Sequence, residues 1–455
     1  MSINTLPAWR LAEQLCQRSL RAIDLARACL NQIGQRDSAV QAFVHIDPDA
    51  VLAQARRLDA GPIRGLLHGL PLGVKDFFDT ADLPTAYGSP IYAGNQPMAD
   101  AAAVALCKES GALVMGKTVT TEFAYFQPGP TRNPRNLAHT PGGSSSGSAA
   151  AVADHMVSLA LGTQTAGSII RPAAYCGVVG YKPSHGRVTR AGVKTLSESL
   201  DTVGGFGRCV RDVALLGAVL TGDSRLLTLP VVAGRSLKIG VCRTLEWPLA
   251  DADTQRMLEQ ALHVLSPQVR SLVAVTLPLG TPDLVALQKN VMAFEMERAL
   301  SHERTVHRVQ LSAQLQALLD AGMRITGADH AANLLTTARA HQQVNALFDD
   351  CDVLLAPSAI GEAPPGVHAT GDPLFCRGWT LLGLPCVHLP FFEGQHGLPM
   401  GLQLVGRFGA DAALLAAAQW VHEQLQGGQP ATDTRQPATD NRQPTTGNRQ
   451  PTTWH

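Results

Sequence analysis

No two of the nine cysteines are spaced as CxxC, and none falls at metal-ligand intervals from histidine. That absence argues against a zinc ribbon or a dithiol redox motif. A chain this long does not need disulfide staples, so the thiols are expected to be reduced and mostly buried as small hydrophobes, which fits the cytoplasm. Charge of one sign is missing too: 37 Lys and Arg balance 37 Asp and Glu. With no basic excess there is no electrostatic footprint for nucleic acid, and none is expected as a partner. No apolar run reaches the roughly 20 residues that cross a bilayer, so no membrane role is expected. The opening MSINTLPAWRLAEQL has no basic stretch followed by an apolar core, so no signal peptide is expected either. What is present in quantity is apolar: 45% hydrophobic against 16% charged residues. That balance suits a well-buried globular protein.

The periodicity alternates between strand and helix. Residues 8–34 carry Leu11, Leu15, Leu20, Ile23, Leu25, Leu30 and Ile33 near a helical period. GLPLGVKDFFDT predicts a buried strand ending at Lys75 and Asp76. Residues 99–110 predict a helix, and ALVMGKTV a strand. SAAAVADHM (helix), VSLALG (strand) and SLKIGVC (strand) follow. Long helical spans are expected within 253–266 and 286–349, then strands at CDVLLAPS and CVHLPF and a closing helix over 411–426. The expected fold class is α/β: a large mixed, mostly parallel twisted sheet with helices on both faces, in one domain over 1–426. After it, Gln-Pro recurs every seven residues at 429, 436, 443 and 450. The repeat has a proline in each period and no apolar seam, so residues 427–455 are expected to be a disordered tail rather than a coiled coil.

Two bursts of small polar residues stand out: TPGGSSSGSAAAVA from Thr140 and GTQTAGSIIRPAAYCG from Gly162. A phosphate loop of the GxxxxGK[ST] kind would need a lysine after Gly147, and there is none. A nucleophile elbow is an alternative. Gly143-Ser144-Ser145-Ser146-Gly147 fits GxSxG with Ser145 as nucleophile, and His185 and His388 lie downstream. The elbow also needs a strand directly before it, whereas NPRNLAHTP is loop-like.

Taken together, GGSSSGSAAAVA and GTQTAGSIIRPAAYCGVVGYKP resemble the signature of the amidase signature family. GLLHGLPLGVKDFFDT, GKTVTTEFA, TRNPRNLAHTPGG, DTVGGFGRCVRDVALL, TGDPLFCRGWTLLGLPCVHLPF and GLPMGLQLVG extend the likeness over most of residues 8–426. The resemblance implies the family's large sheet fold and amide hydrolysis by a Ser–Ser–Lys triad, with no metal and no cofactor. By motif position the nucleophile is Ser168 in TAGS. The bridging serine is Ser144, 24 residues earlier, and the lysine is Lys75 in GVKD. The chemistry explains the residue types. A serine hydroxyl is a weak nucleophile without a base, and lysine is a base only when burial keeps it neutral. Ser144 would pass the proton of Ser168 to Lys75 and later return it to the leaving amine. The resemblance also implies a cis peptide before the bridging serine, and an oxyanion site from the main-chain N–H groups of Thr165, Ala166, Gly167 and Ser168.

Some positions depart from the family pattern. Ser146 and Ala166 stand where glycine is usual, Gln164 where aspartate is common, and Arg171 follows the nucleophile by three residues. An arginine at a helix start can hold a carboxylate bidentately. With TQT…SIIRP and the short Lys75-to-Ser144 spacing, this looks like the branch that includes malonamidase. The expected substrate is then a small-molecule amide of an acid anchored by Arg171, against the plainer reading of Arg171 as half of a structural ion pair. Ser145 and Ser146 are expected as loop and cap residues, and Cys176 and Lys182 as structural. His68 and His139 are expected in loops. Trp379 is expected either as a pocket wall or as core. The resemblance allows a homodimer. Two rival readings remain: the amidase-type component of the glutamyl-tRNA(Gln) amidotransferase, which amidates charged tRNA, and a non-catalytic binding protein on the same scaffold. Neutral charge and the short spacing argue against the first, and the intact triad against the second.

Overall fold

The computed structural model describes residues 2–427. The Gln-Pro repeat lies outside the described residues. Eleven strands make one sheet: β1 (Phe43–His45), β2 (Pro71–Lys75), β3 (Leu113–Thr118), β4 (Leu159–Gln164), β5 (Val179–Lys182), β6 (Thr202–Gly207), β7 (Lys238–Cys242), β8 (Ser271–Val275), β9 (Val353–Pro357), β10 (Cys386–Glu393) and β11 (Pro399–Gly406). Their order is β1-β3-β2-β4-β6-β5-β10-β11-β9-β7-β8. The sheet is large and mixed, as expected, but it is not mostly parallel. Only β2–β3, β2–β4, β7–β8 and β7–β9 run parallel; the other six pairs are antiparallel. The alternation of strands and helices masks this, because β5, β6 and β11 do not separate as strands by pattern. β6 is the glycine-rich TVGGFG, whose composition argues against a strand. Its glycines answer to close packing: a Cβ on Gly204 would sit 2.2 Å from the Tyr181 carbonyl oxygen.

Helices cover both faces, and β5 shows how. Successive strand residues point to opposite faces. A Cβ on Gly180 would meet Ala173 of the Ile170–Cys176 helix at 2.7 Å. The next residue, Tyr181, sends its hydroxyl to Asp411 Oδ1 at 2.7 Å, in the Asp411–Gly427 helix on the other side. Val179 and Tyr181 pack there with Val210, Val213, Leu414 and Leu415. β2, β3 and β4 are buried along their whole length.

One helical expectation needs correction. The span 8–34 is two helices, Ala8–Cys16 and Ala22–Val40. Arg18 has a left-handed φ of 56° between them. The second helix begins where Asp59 accepts from Ala22 N and Ile23 N, at 2.7 and 3.0 Å. A cap from a residue 37 positions away leaves no local trace. The helical spans expected within 286–349 are Leu284–Ala299, Ser301–Val306, Ala313–Met323 and Gly327–Asn345. Here the signal was local: Ser312 caps one helix, and Thr326 with Asp329 forms a capping box for the next.

Candidate active site

Lys75 is the last residue of β2, and it is fully buried. Its Nζ donates to Ser144 Oγ at 2.8 Å and to Thr163 Oγ1 at 2.7 Å. Thr163 belongs to β4, which runs parallel to β2. No carboxylate pairs with this amine among the described residues; the Phe77 ring lies 5.3 Å from it. Burial therefore holds the Lys75 ammonium well below its ordinary 10.5, with the charge of Asp201 acting weakly in the other direction.

Ser144 follows a cis peptide bond from Gly143. The backbone here is crowded. Gly142 has φ of 79°, and a Cβ on it would meet Pro172 Cα at 2.9 Å. The Ser146–Ala153 helix that follows is buried throughout, which its run of small residues allows. Ser148 ties that helix to β4 through Leu161 O at 2.8 Å. Ser145, the elbow candidate, is fully buried. Its Oγ donates to Thr163 O at 3.3 Å and accepts from Thr163 N at 3.4 Å. Coil precedes it, not a strand. His388 is bonded to Ser358 Oγ at 2.7 Å, and no histidine among the described residues bonds Ser145. The elbow reading has neither its strand nor its base.

Ser168 lies in the turn between β4 and the Ile170–Cys176 helix. It lines a small cavity of about 20 Å³ with Tyr125, Phe126, Thr165, Ala166 and Arg171. Tyr125 and Phe126 also line a vestibule of about 390 Å³ beside it, with Gln314, His368 and Asp372. The Ser168 hydroxyl bonds no other described residue. The structure thus joins Lys75 and Ser144 directly and leaves the Ser168 hydroxyl free at the cavity. Catalytic hydrogen bonds commonly tighten only when substrate is bound.

The turn that carries Ser168 is fastened from outside. Thr165 O accepts from Gln288 Nε2 at 3.0 Å, and Ala166 O from Thr380 Oγ1 at 2.7 Å. Thr165 Oγ1 donates to Asp201 Oδ1 at 2.6 Å. Gln164 Oε1 accepts from Ile169 N and Ile170 N, at 2.9 and 3.0 Å, so it caps the helix that follows. The N–H groups of Thr165, Ala166, Gly167 and Ser168 donate to no described residue. Unpaired main-chain donors beside a near-buried serine are what an oxyanion site requires.

Arg171 departs from its expected role. It lines the cavity, but Nη1 donates to Gly371 O at 2.5 Å and Nη2 to Gly143 O at 2.7 Å. Only Nε is buried without a partner. Its terminal nitrogens are therefore not free to anchor a carboxylate, and it forms no ion pair among the described residues. Arg171 fastens the Ser168 turn to the peptide that precedes Ser144. The remaining residues fall as structural parts. Lys182 donates to Pro183 O at 3.0 Å, Cys176 to Pro141 O at 3.4 Å, and Trp379 is buried core away from the Ser168 cavity. His68 and His139 bond main-chain groups at Arg64 and Ala363. Thr163, Asp201, Gln288, Arg377 and Thr380 were not found from sequence. Thr163 sits in GTQT, Asp201 in DTVGGFG, and Arg377 and Thr380 in TGDPLFCRGWTLL, all within reach of motif reading; Gln288 lies in a segment with no such motif.

A family model described as Amidase matches residues 24–415. The chain is 34% identical over 480 residues to the A component of the glutamyl-tRNA(Gln) amidotransferase of Geobacter sp. (strain M21), covering 93% of this chain and 98% of that protein. Among solved structures it is similar to an amidase at 30% identity and TM-score 0.83, covering 92% and 100% of the two chains. It is also similar to the native peptide amidase of Stenotrophomonas maltophilia, at 26% identity and TM-score 0.78, covering 93% and 97%.

Proposed function

The chain belongs to the amidase family, and on that premise we propose that it hydrolyses a small-molecule carboxylic acid amide to the acid and ammonia through Ser168, Ser144 and Lys75. The observation that carries this reading is a fully buried lysine bonded to two hydroxyls, with no carboxylate to keep it charged. In the neutral amine Lys75 keeps an N–H on Thr163 and the contact with Ser144 reverses, the Ser144 hydroxyl donating to the amine lone pair. Ser144 then passes a proton to Lys75 as it takes one from Ser168. Ser168 Oγ attacks the amide carbon, and the oxygen gains charge against the N–H groups of the Thr165–Ser168 turn. Collapse breaks the C–N bond, the relay returns the proton to nitrogen, and ammonia leaves. Water then cleaves the Ser168 ester by the same relay and releases the acid. The balance is amide plus water to acid plus ammonia.

A second reading is favoured by curated relatives such as that of Geobacter sp. (strain M21), which carries the name of a glutamyl-tRNA(Gln) amidotransferase component and is matched over 98% of its length. In that reading the same site releases ammonia from an amide for transfer within an assembly. The likeness to an amidase and a peptide amidase of solved structure supports amide hydrolysis as the reaction. The narrower kinship with malonamidase rests on TQT…SIIRP and the short Lys75-to-Ser144 spacing, and the acid-amide substrate on Arg171, whose terminal nitrogens are already engaged.

Ammonia release from malonamate, acetamide, propionamide, benzamide and glutamine separates these readings. The expected result is release by wild type, none by Ser168→Ala, and retention by Ser145→Ala. A dead Ser145→Ala beside a live Ser168→Ala overturns the triad. Release from glutamine alone, and only when partner proteins co-purify, favours the amidotransferase reading. A wild type inert on every amide in either state refutes both.

A further inference from the structure

We propose that Gln288 and Arg377 are positioning residues: Arg377 orients the Gln288 side-chain amide, and Gln288 in turn aims the Ala166 N–H at the cavity. This rests on the reading of Ser168 as nucleophile. The geometry begins with the peptide unit. A trans peptide points its C=O and the following N–H to opposite sides. Holding Thr165 O therefore fixes the direction of the Ala166 N–H, and holding Ala166 O fixes that of the Gly167 N–H. Thr380 does the second with a hydroxyl. Gln288 does the first with an amide, and an amide has two ends.

The two ends differ in chemistry. The nitrogen only donates and the oxygen only accepts. If the Gln288 amide turned over, its oxygen would face the Thr165 carbonyl oxygen, and the peptide would lose its tether. Arg377 prevents this. A guanidinium carries donors and no acceptor, and Arg377 Nη1 donates to Gln288 Oε1 at 2.5 Å. That contact commits the oxygen to Arg377 and the nitrogen to Thr165. Both side chains are almost fully buried, Gln288 at 0% and Arg377 at 3%, so solvent has little access to take over either bond. They come from the Leu284–Ala299 and Leu374–Leu381 helices, so the oxyanion turn is set by two elements far from the signature motif.

The test uses Gln288→Glu, which keeps the shape and removes the donor, with Arg377→Met and Arg377→Lys. A long-chain alkyl fluorophosphonate supplies a readout independent of any amide. Ser168 Oγ gives its proton to the Ser144–Lys75 relay and bonds phosphorus, the P–F bond breaks and fluoride leaves, and the phosphoryl oxygen takes the oxyanion position. The expected result for Gln288→Glu is a fall of about 10²-fold in kcat and in labelling rate, with KM little changed and the full number of titratable sites. Arg377→Met should fall likewise, and Arg377→Lys, which keeps a donor, should recover part of the rate. Wild-type labelling with unchanged rates in Gln288→Glu overturns the inference and leaves the proposed function standing. So does a loss of activity that only follows the loss of titratable sites, because that marks a merely structural role. A wild type that neither labels nor hydrolyses refutes the proposed function, and the inference with it.

Discussion

Replacing Lys75 by Met should change how stability depends on pH, and the structure sets the sign. Lys75 is fully buried, and burial lowers its pKa well below 10.5. The unfolded chain keeps the ordinary value. Between the two values the unfolded chain holds a proton that the folded chain has released, so stability rises with pH there. Below the folded value the penalty is complete; above 10.5 it is gone. The slope limit for one proton is about 1.4 kcal/mol per pH unit. Methionine carries no proton. Losing the bonds to Ser144 and Thr163 shifts its stability curve without tilting it. Between the lowered folded value and 10.5 the wild type should therefore gain stability with rising pH relative to Lys75→Met, by at most about 1.4 kcal/mol per pH unit. Urea unfolding in small pH steps measures this, provided that m is the same for both proteins. The wild-type kcat/KM should rise with pH through the folded pKa of Lys75 and then level, since only the neutral amine is a base. Parallel stability curves over this window would mean that Lys75 titrates like a solvated lysine. The base would then be lost from the mechanism.

Three other perturbations bear on neighbouring parts of the structure. A Cβ on Gly167 would lie 2.6 Å from Pro373 Cβ and 3.0 Å from Cys376 Cβ, so Gly167→Ala should displace the oxyanion turn. Steady-state kinetics should show at least a tenfold fall in kcat, on the order of part of one oxyanion donor. Lys117 and Asp76 form a buried pair at 3.3 Å, and Lys117→Met leaves the carboxylate alone. Denaturation should show a loss of about 3–5 kcal/mol, much of it regained when Asp76→Leu is added. Arg171→Met removes the ties to Gly143 O and Gly371 O and should slow acidic and neutral amides alike. A selective loss on acidic amides would restore the carboxylate anchor.

The proposed site was legible where it lies in local motifs. Lys75, Ser144 and the Thr165–Ser168 turn are picked out by motif position in the family resemblance, and their small, apolar or glycine neighbours have close-packing reasons. Gly142 and Gly147 are such cases: a Cβ on Gly147 would lie 2.2 Å from Ala42 O. Reading failed where the deciding partner lies far along the chain. The break before Ala22 depends on Asp59, and the tether on Thr165 depends on Gln288 and Arg377. Arg171 failed differently. Its residue type and position suggested an anion site, but a guanidinium also serves main-chain carbonyls, and two such carbonyls converge on it. Type and spacing do not distinguish those uses; only the acceptors do.

The correction to the sheet bears on the site. Six of ten strand pairs are antiparallel, yet β2, β3 and β4 form a parallel block. Parallel strands bring their carboxyl ends to one edge, and that edge is where α/β sheets bind ligands. Lys75 closes β2, Thr163 lies one residue from the end of β4, and the Thr165–Ser168 turn leaves from that end. The antiparallel majority does not break this edge, because β6 only flanks β4 and its glycines let the neighbouring layers approach. A substitution that slips β2 against β4 should therefore separate Lys75 from Thr163 while leaving the far β9–β7–β8 block intact. Gly73→Val is such a change: a Cβ on Gly73 already lies 3.0 Å from Thr118 Cγ2 and 3.5 Å from Ala160 Cβ, so a branched side chain has no room between the strands that flank β2. Loss of fluorophosphonate labelling with helix and sheet content retained is the expected outcome. Normal labelling in a folded Gly73→Val protein would show that the register of β2 does not govern the position of the base.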